Sequence, residues 1–231
     1  SFRIGSCCNA KNQCANTLVM TVTAGAVIPQ GMVEVQAASG RVYVNPYSAT
    51  VVTYKPGSAL SRFSSVISIM GCSKAKEIKN LKSSNKYIKV APRDGYIRVE
   101  FGKKAAKSTI TCTVKGVKLK TTFTVKKYTN PCKTFKIGKT NLLSKFNKND
   151  VLRTNKAFKK QKLDIKLKSG WKISSVHVTS GTGSYNNYRV NKSSFSKKIT
   201  VSNNYGYIYV YCYNEKTKVS ECLQINTSTR Y

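Results

Sequence analysis

The chain has 231 residues, with 41 Lys and Arg against 8 Asp and Glu, a formal net charge of +33 and 40% apolar residues. That length and apolar content suffice for one large or two small cores. No run reaches the roughly 18–20 uninterrupted apolar residues that a membrane-crossing helix requires. So large a charge excess concerns partners and solubility rather than fold, and predicts attraction to polyanions: cell-wall polymers, acidic glycans, nucleic acid or an anionic membrane surface. The charge is uneven. Residues 1–72 hold five basic residues and one acid, and the remaining 36 basic and seven acidic residues follow. Most of the basic residues are lysines, which suit a diffuse solvated charge better than planar bidentate recognition.

Residues 17–38 read TLVMTVTAGAVIPQGMVEVQAA. An apolar run from Leu18 to Ile28, the breaker Pro29 and the small residues Ala37 and Ala38 match a signal peptide spanning residues 1–38, with Arg3 and Lys11 as a thin positive n-region. Two other readings stand beside it. The same residues also form two strands around a Gly/Pro turn, and Cys7, Cys8 and Cys14 also suit a cysteine-rich arm that links subunits of an extracellular polymer.

From residue 39 the chain is dense in Val, Ile, Thr, Tyr and Phe with period-two alternation, the pattern of strands. Strands are predicted over 42–45, 50–54, 64–70, 87–91, 96–101, 108–114 and 118–126, with Gly and Pro between them. Seven short strands in under 90 residues is the spacing of a small β-sandwich. In TITCTV and TTFTV every second residue is apolar or small, so one face packs and the other meets water.

Within this stretch Ser83-Ser84-Asn85, Val90, Gly95, Ile97, Gly102, Ser108-Thr109-Ile110-Thr111, Gly116 and Phe123-Thr124-Val125 stand in order. Upstream come Pro56-Gly57 and Val66-Ile67-Ser68-Ile69. In register these residues resemble the bacterial Ig-like group 2 domain (BIG2) over residues 39–128. Arg98, Glu100 and Lys103 replace smaller residues of the pattern, and the segment 72–82 matches it loosely. The resemblance implies an extracellular spacer or adhesion module without chemistry of its own.

Tyr128-Thr129-Asn130-Pro131 reads as a polar linker, because Pro131 disfavours regular structure before it. Beyond it, LDIKLKSGWKISSVHV and GYIYVYCYNEKTKVSECLQI read as hairpins. The second unit, 129–231, resembles the cadherin-like β-sandwich modules of clostridial surface proteins, most closely over residues 166–173. Residues 141–160, rich in Lys and Asn, read as a long loop with one irregular strand. The fold class is therefore all-β, as tandem immunoglobulin-like sandwiches.

Catalytic chemistry finds little support. His177 is the only histidine, and Val176-His177-Val178 places it on a strand face opposite two valines. The acids are scattered, and Asp94 is the first half of an Asp-Gly turn. Ser-x-x-Lys occurs at Ser73/Lys76, Ser83/Lys86, Ser169/Lys172 and Ser194/Lys197, as chance provides in a chain so rich in both residues. No Cys-x-x-Cys metal spacing and no phosphate-binding glycine loop appear. No cofactor, metal or small-molecule substrate is expected. Cys212 and Cys222 flank a turn and read as a cross-strand disulfide, while Cys72 and Cys112 are placed to staple two sheets. Basic and aromatic residues interleave over Lys86-Tyr87-Ile88-Lys89, Lys133–Lys139 and the tyrosine-rich Tyr205–Tyr213, which serves either single-strand stacking or ordinary strand surfaces. Trp171 fits a core position better than a sugar-stacking one.

The expectation is a secreted, surface-associated, non-catalytic protein that holds anionic wall polymers or glycans electrostatically. A disulfide-linked polymer subunit and a nucleic-acid-binding virion component are the alternatives.

Overall fold

Alternation of side chains decides which face of each strand is buried, and the strands pair accordingly. The computed structural model describes residues 41–45, 49–181 and 183–227, together with a ladder pairing β1 (Cys7–Cys8) antiparallel with β2 (Cys14–Ala15). The segment 17–38, read above as part of a signal peptide, lies outside the described residues.

The first sandwich joins two four-stranded sheets. One has the order β3-β5-β8-β7, built from β3 (Tyr43–Asn45), β5 (Arg62–Met70), β8 (Tyr96–Gly102) and β7 (Ile88–Arg93). The other has the order β4-β10-β9-β6, from β4 (Ala49–Tyr54), β10 (Val117–Lys127), β9 (Ala106–Val114) and β6 (Ile78–Ser83). Strand β4 runs parallel to the closing strand β10, and the other neighbours are antiparallel. Ile67, Ile97, Val99, Ile110, Val114 and Phe123 meet in its core. Lys115 and Gly116 both take positive φ, 49° and 81°, the backbone a two-residue hairpin between β9 and β10 needs.

The second sandwich repeats the plan. Strands β12 (Thr140–Asn141), β11 (Cys132–Ile137), β14 (Phe158–Leu167) and β17 (Ser194–Val201) form one sheet in that order. The facing sheet has the order β13-β19-β18-β15-β16, from β13 (Val151–Thr154), β19 (Val219–Thr227), β18 (Tyr207–Asn214), β15 (Trp171–Thr179) and β16 (Tyr185–Lys192). Again an early strand, β13, lies parallel to the closing strand, β19. Both units have the immunoglobulin-like arrangement: two facing sheets, with the chain start split between them.

Three segments differ from the sequence reading. The loosely matched segment 72–82 contains a 3-10 turn, Ala75–Glu77, and the strand β6. Its alternation is broken because Asn80 takes φ 52° at a bulge between Lys79 and Lys82, which is why the pattern looked irregular. Residues 141–160 are not one long loop. They hold a 3-10 turn, Leu143–Phe146, and β13, with Leu142, Phe146 and Phe158 buried in the second core. The polar stretch 128–131 is not a solvated linker, since Tyr128, Asn130 and Pro131 are all buried. The Asn130 side chain donates to the Leu143 carbonyl at 2.9 Å and accepts from the Cys132 N–H at 3.0 Å. Trp171 packs against the second core.

Candidate functional site

In the sheet containing β9 and β10, inward Ser108, Ile110, Cys112 and Val114 alternate with outward Thr109, Thr111 and Thr113. The register aligns Lys79 and Lys118 on either side of Thr113, and Lys82 and Lys120 on either side of Thr111. The four lysines are exposed. Each row thus reads Lys-Thr-Lys, with side-chain roots about 10 Å apart across the strands and about 7 Å between rows on β10. The second sandwich carries a comparable face. Exposed Lys162 lies directly opposite exposed Lys198, while Lys166 and Lys136 flank Asp164. Like charges directly opposite one another destabilise a sheet, so fold stability gives no reason for this pair.

The opposite face of the second sandwich is different. On β18, Tyr207, Tyr209, Tyr211 and Tyr213 alternate with Ile208, Val210 and Cys212. Tyr207 and Tyr209 stack at 4.5 Å. His177 opposes Tyr209, and its ring nitrogens lie 3.2 Å from Ser175 Oγ and 3.2 Å from Tyr185 Oη. This tyrosine face also carries cations, since Lys172 lies opposite Tyr213, and Arg189 and Tyr211 both lie opposite Ser175.

Between the sandwiches sits a clamp that sequence reading did not find. Lys55 Nζ, just past β4, forms ion pairs with Glu221 on β19 and with Asp150 at 3.2 Å. Thr53 Oγ1 donates to Glu221 Oε1 at 2.5 Å, and the Lys55 ammonium lies 4.6 Å from the Tyr128 ring centre. The Gly57 N–H donates to the Lys148 carbonyl at 2.9 Å across the same junction. Glu221 is 5% exposed. Burial raises its pKa above the ordinary carboxylate value, and Lys55 and Thr53 oppose that rise without cancelling it. A signal existed: in Val219-Ser220-Glu221-Cys222-Leu223 the glutamate occupies the inward phase of the strand. Its partner is invisible from sequence because 166 residues separate them.

Beside the clamp, the Tyr128 hydroxyl is buried and has no hydrogen-bond partner among the described residues. Burial also moves its pKa far above the phenol range. Tyr128→Phe is therefore expected to leave stability unchanged or to raise it by up to about 1 kcal/mol in urea unfolding.

The expected Cys212–Cys222 bridge meets a geometric obstacle. Cys212 opposes Glu221, and Cys222 opposes Tyr211. Directly opposed residues share a face and neighbours along a strand do not, so Cys212 points into the core and Cys222 points out. Both are free thiols in this structure, and joining them requires a one-residue register slip. This corrects the turn-based reading.

The other candidates find structural roles. Lys172, of one Ser-x-x-Lys pair, bonds Glu215 at 2.9 Å, and that carboxylate holds its ammonium in the charged form, the reverse of what a general base needs. Ser83 Oγ lies 2.8 Å from Ser108 Oγ. Among the described residues no group of three His, Cys, Asp or Glu converges as a metal site, and no helix is long and apolar enough to cross a membrane.

No family model matches the chain, and no curated protein matches it. Several solved structures do. The fibronectin(III)-like modules of Clostridium thermocellum CbhA are 15% identical, with 82% of this chain and 96% of that one covered at a TM-score of 0.33. The D0-D1 domain of intimin is 10% identical, with coverage of 78% and 95% at 0.27. Human protocadherin-24 EC1-2 is also 10% identical, with coverage of 82% and 98% at 0.25. The fold assignment rests on the strand order described above. The chain is a tandem of immunoglobulin-like β-sandwiches.

Proposed function

We propose that this chain is a secreted, non-catalytic surface protein whose two modules, 39–128 and 129–231, hold anionic cell-wall polymers or glycans through lysine-covered sheet faces. The first module is read as a BIG2 domain and the second as cadherin-like, on the residues named above. The observation that carries the proposal is the pair of Lys-Thr-Lys rows, joined by the unrelieved Lys162–Lys198 opposition on the second sandwich. Lysines spread over flat sheets give a broad field with little stereochemical demand. Affinity should then depend on charge density and fall as salt screens it.

The test is retention on heparin and on poly(glycerol phosphate) as salt rises. Between about 0.05 and 0.5 M salt, binding is expected to collapse. Replacing Lys79, Lys82, Lys118 and Lys120 with Gln should weaken binding to both polymers at every salt concentration and flatten the salt dependence. Unchanged affinity in that variant would remove these rows from the binding surface. Tighter binding to duplex DNA than to either polymer at matched salt would favour the nucleic-acid reading instead.

A further inference from the structure

The cysteines of the two sandwiches repeat a position. Cys112 and Cys212 each stand two residues before the end of their strands, β9 ending at Val114 and β18 at Asn214. Each of these strands is bonded to the closing strand of its sandwich, β10 or β19. Both thiols are buried in their cores.

In each case a second cysteine approaches from the facing sheet at the same end. Cys72 follows β5 by two residues and packs against the core that holds Cys112. Lys115 Nζ, beyond the end of β9, bonds the Gly71 carbonyl at 2.8 Å and ties that end of β9 to the neighbour of Cys72. In the second sandwich, Cys132 opens β11 opposite Leu167, the last residue of β14. The turn 168–170 leads directly into β15, where Ile173 opposes Cys212. The Lys168 N–H also donates to the Pro131 carbonyl at 2.8 Å. Cys132 and Cys212 belong to one core. Cys222 faces outward, on the other side of its sheet from Cys212.

We propose that the mature chain carries two intersheet disulfides, Cys72–Cys112 and Cys132–Cys212, one in each sandwich, and that Cys222 stays outside both. Burial is the main cause that raises the Cys112 and Cys212 thiols; Cys72 adds to it at Cys112, and Cys132, Glu221 and Cys222 add to it at Cys212. Burial pushes the Cys132 thiol up to about 12 and the Cys222 thiol up to about 11, so few thiolates exist once the cores have closed. The bridges therefore form during folding, with an external disulfide as oxidant. A cysteine thiolate attacks oxidised glutathione and releases one glutathione thiolate. The second cysteine thiolate then attacks the mixed disulfide, forms the protein S–S bond and releases the other. The two electrons of each new bond's parent thiolates thus reside on two reduced glutathiones.

Each of the five cysteines falls on its own tryptic peptide: 63–74, 108–115, 128–133, 199–216 and 219–230. The full chain is refolded in a glutathione redox buffer, alkylated under denaturing conditions and digested without reduction. The expected result is 63–74 linked to 108–115 and 128–133 linked to 199–216, with 219–230 alkylated. In Cys132→Ser, 199–216 should become alkylated while the first pair stays linked. Alkylation of all five cysteines, a 199–216 to 219–230 link, or links to the peptides of Cys7, Cys8 or Cys14 would overturn the proposal.

Discussion

Lys55→Ala is expected to cost about 3–5 kcal/mol of stability at neutral pH, the loss typical when one partner of a buried ion pair is removed. The Lys55 ammonium is the cation shared by Glu221 and Asp150. Removing it leaves two carboxylates side by side, with the Glu221 side chain only 2% exposed. Glu221→Gln should behave differently: it keeps an acceptor for Thr53 and removes the cost of burying a charge, so stability should hold or rise. The pH dependence follows from the sign of the shift. The folded-state pKa of Glu221 is raised above its unfolded value, so between those values the folded state binds more protons. Stability from this group is therefore greatest at low pH and declines as pH rises through that window. The Lys55→Ala penalty should accordingly shrink on acidification, and Glu221→Gln should flatten the profile. Urea unfolding at several pH values checks both. A Lys55→Ala loss under about 1 kcal/mol would mean that Glu221 regains water when Lys55 leaves, as in an exposed pair.

Much of the fold was readable because strand alternation is a local signal. The seven strands read in the first module all appear, with ends moved by one or two residues, since TITCTV and TTFTV declare their inner faces without help from distant residues. Strand β6 was hidden because the Asn80 bulge puts its apolar residues, Ile78 and Leu81, out of phase. Phe146 was hidden for another reason: one aromatic among lysines and asparagines reads as loop until β11 is present to cover it. The charged surface was legible only as a total. Lys79, Lys82, Lys118 and Lys120 become neighbours through the pairing of three strands, and pairing depends on register rather than composition. The Cys212–Cys222 error has the same origin. A turn of plausible length brought both cysteines to adjacent strands, but only the register shows that they face opposite ways.

Phe135→Ala is expected to be as costly as the loss of Lys55, about 3–5 kcal/mol, through a different mechanism. Phe135 is fully buried, and its ring centre lies 4.8 Å from that of Phe146. Truncation opens a cavity in the second core and also deprives Phe146 of its aromatic partner. For a unit of this size the loss corresponds to a melting-temperature drop of roughly 12 °C or more. Phe123 is the counterpart in the first core, at 0% exposure. The single tryptophan, Trp171, packs against the second core and lines a cleft with Thr53, Lys126 and Lys127 of the first sandwich, so its fluorescence reports the second sandwich and its junction while far-UV dichroism reports both units. Phe135→Ala should move the fluorescence midpoint by its full amount. Phe123→Ala should move the dichroism of the first sandwich and shift fluorescence only as far as the Lys55–Glu221 junction couples the two units. Adding Lys55→Ala to Phe123→Ala should then reduce that coupled shift. If Phe123→Ala alone moves the fluorescence midpoint as far as Phe135→Ala does, the two cores unfold as one cooperative unit, and the division at residue 128 is one of architecture and not of stability.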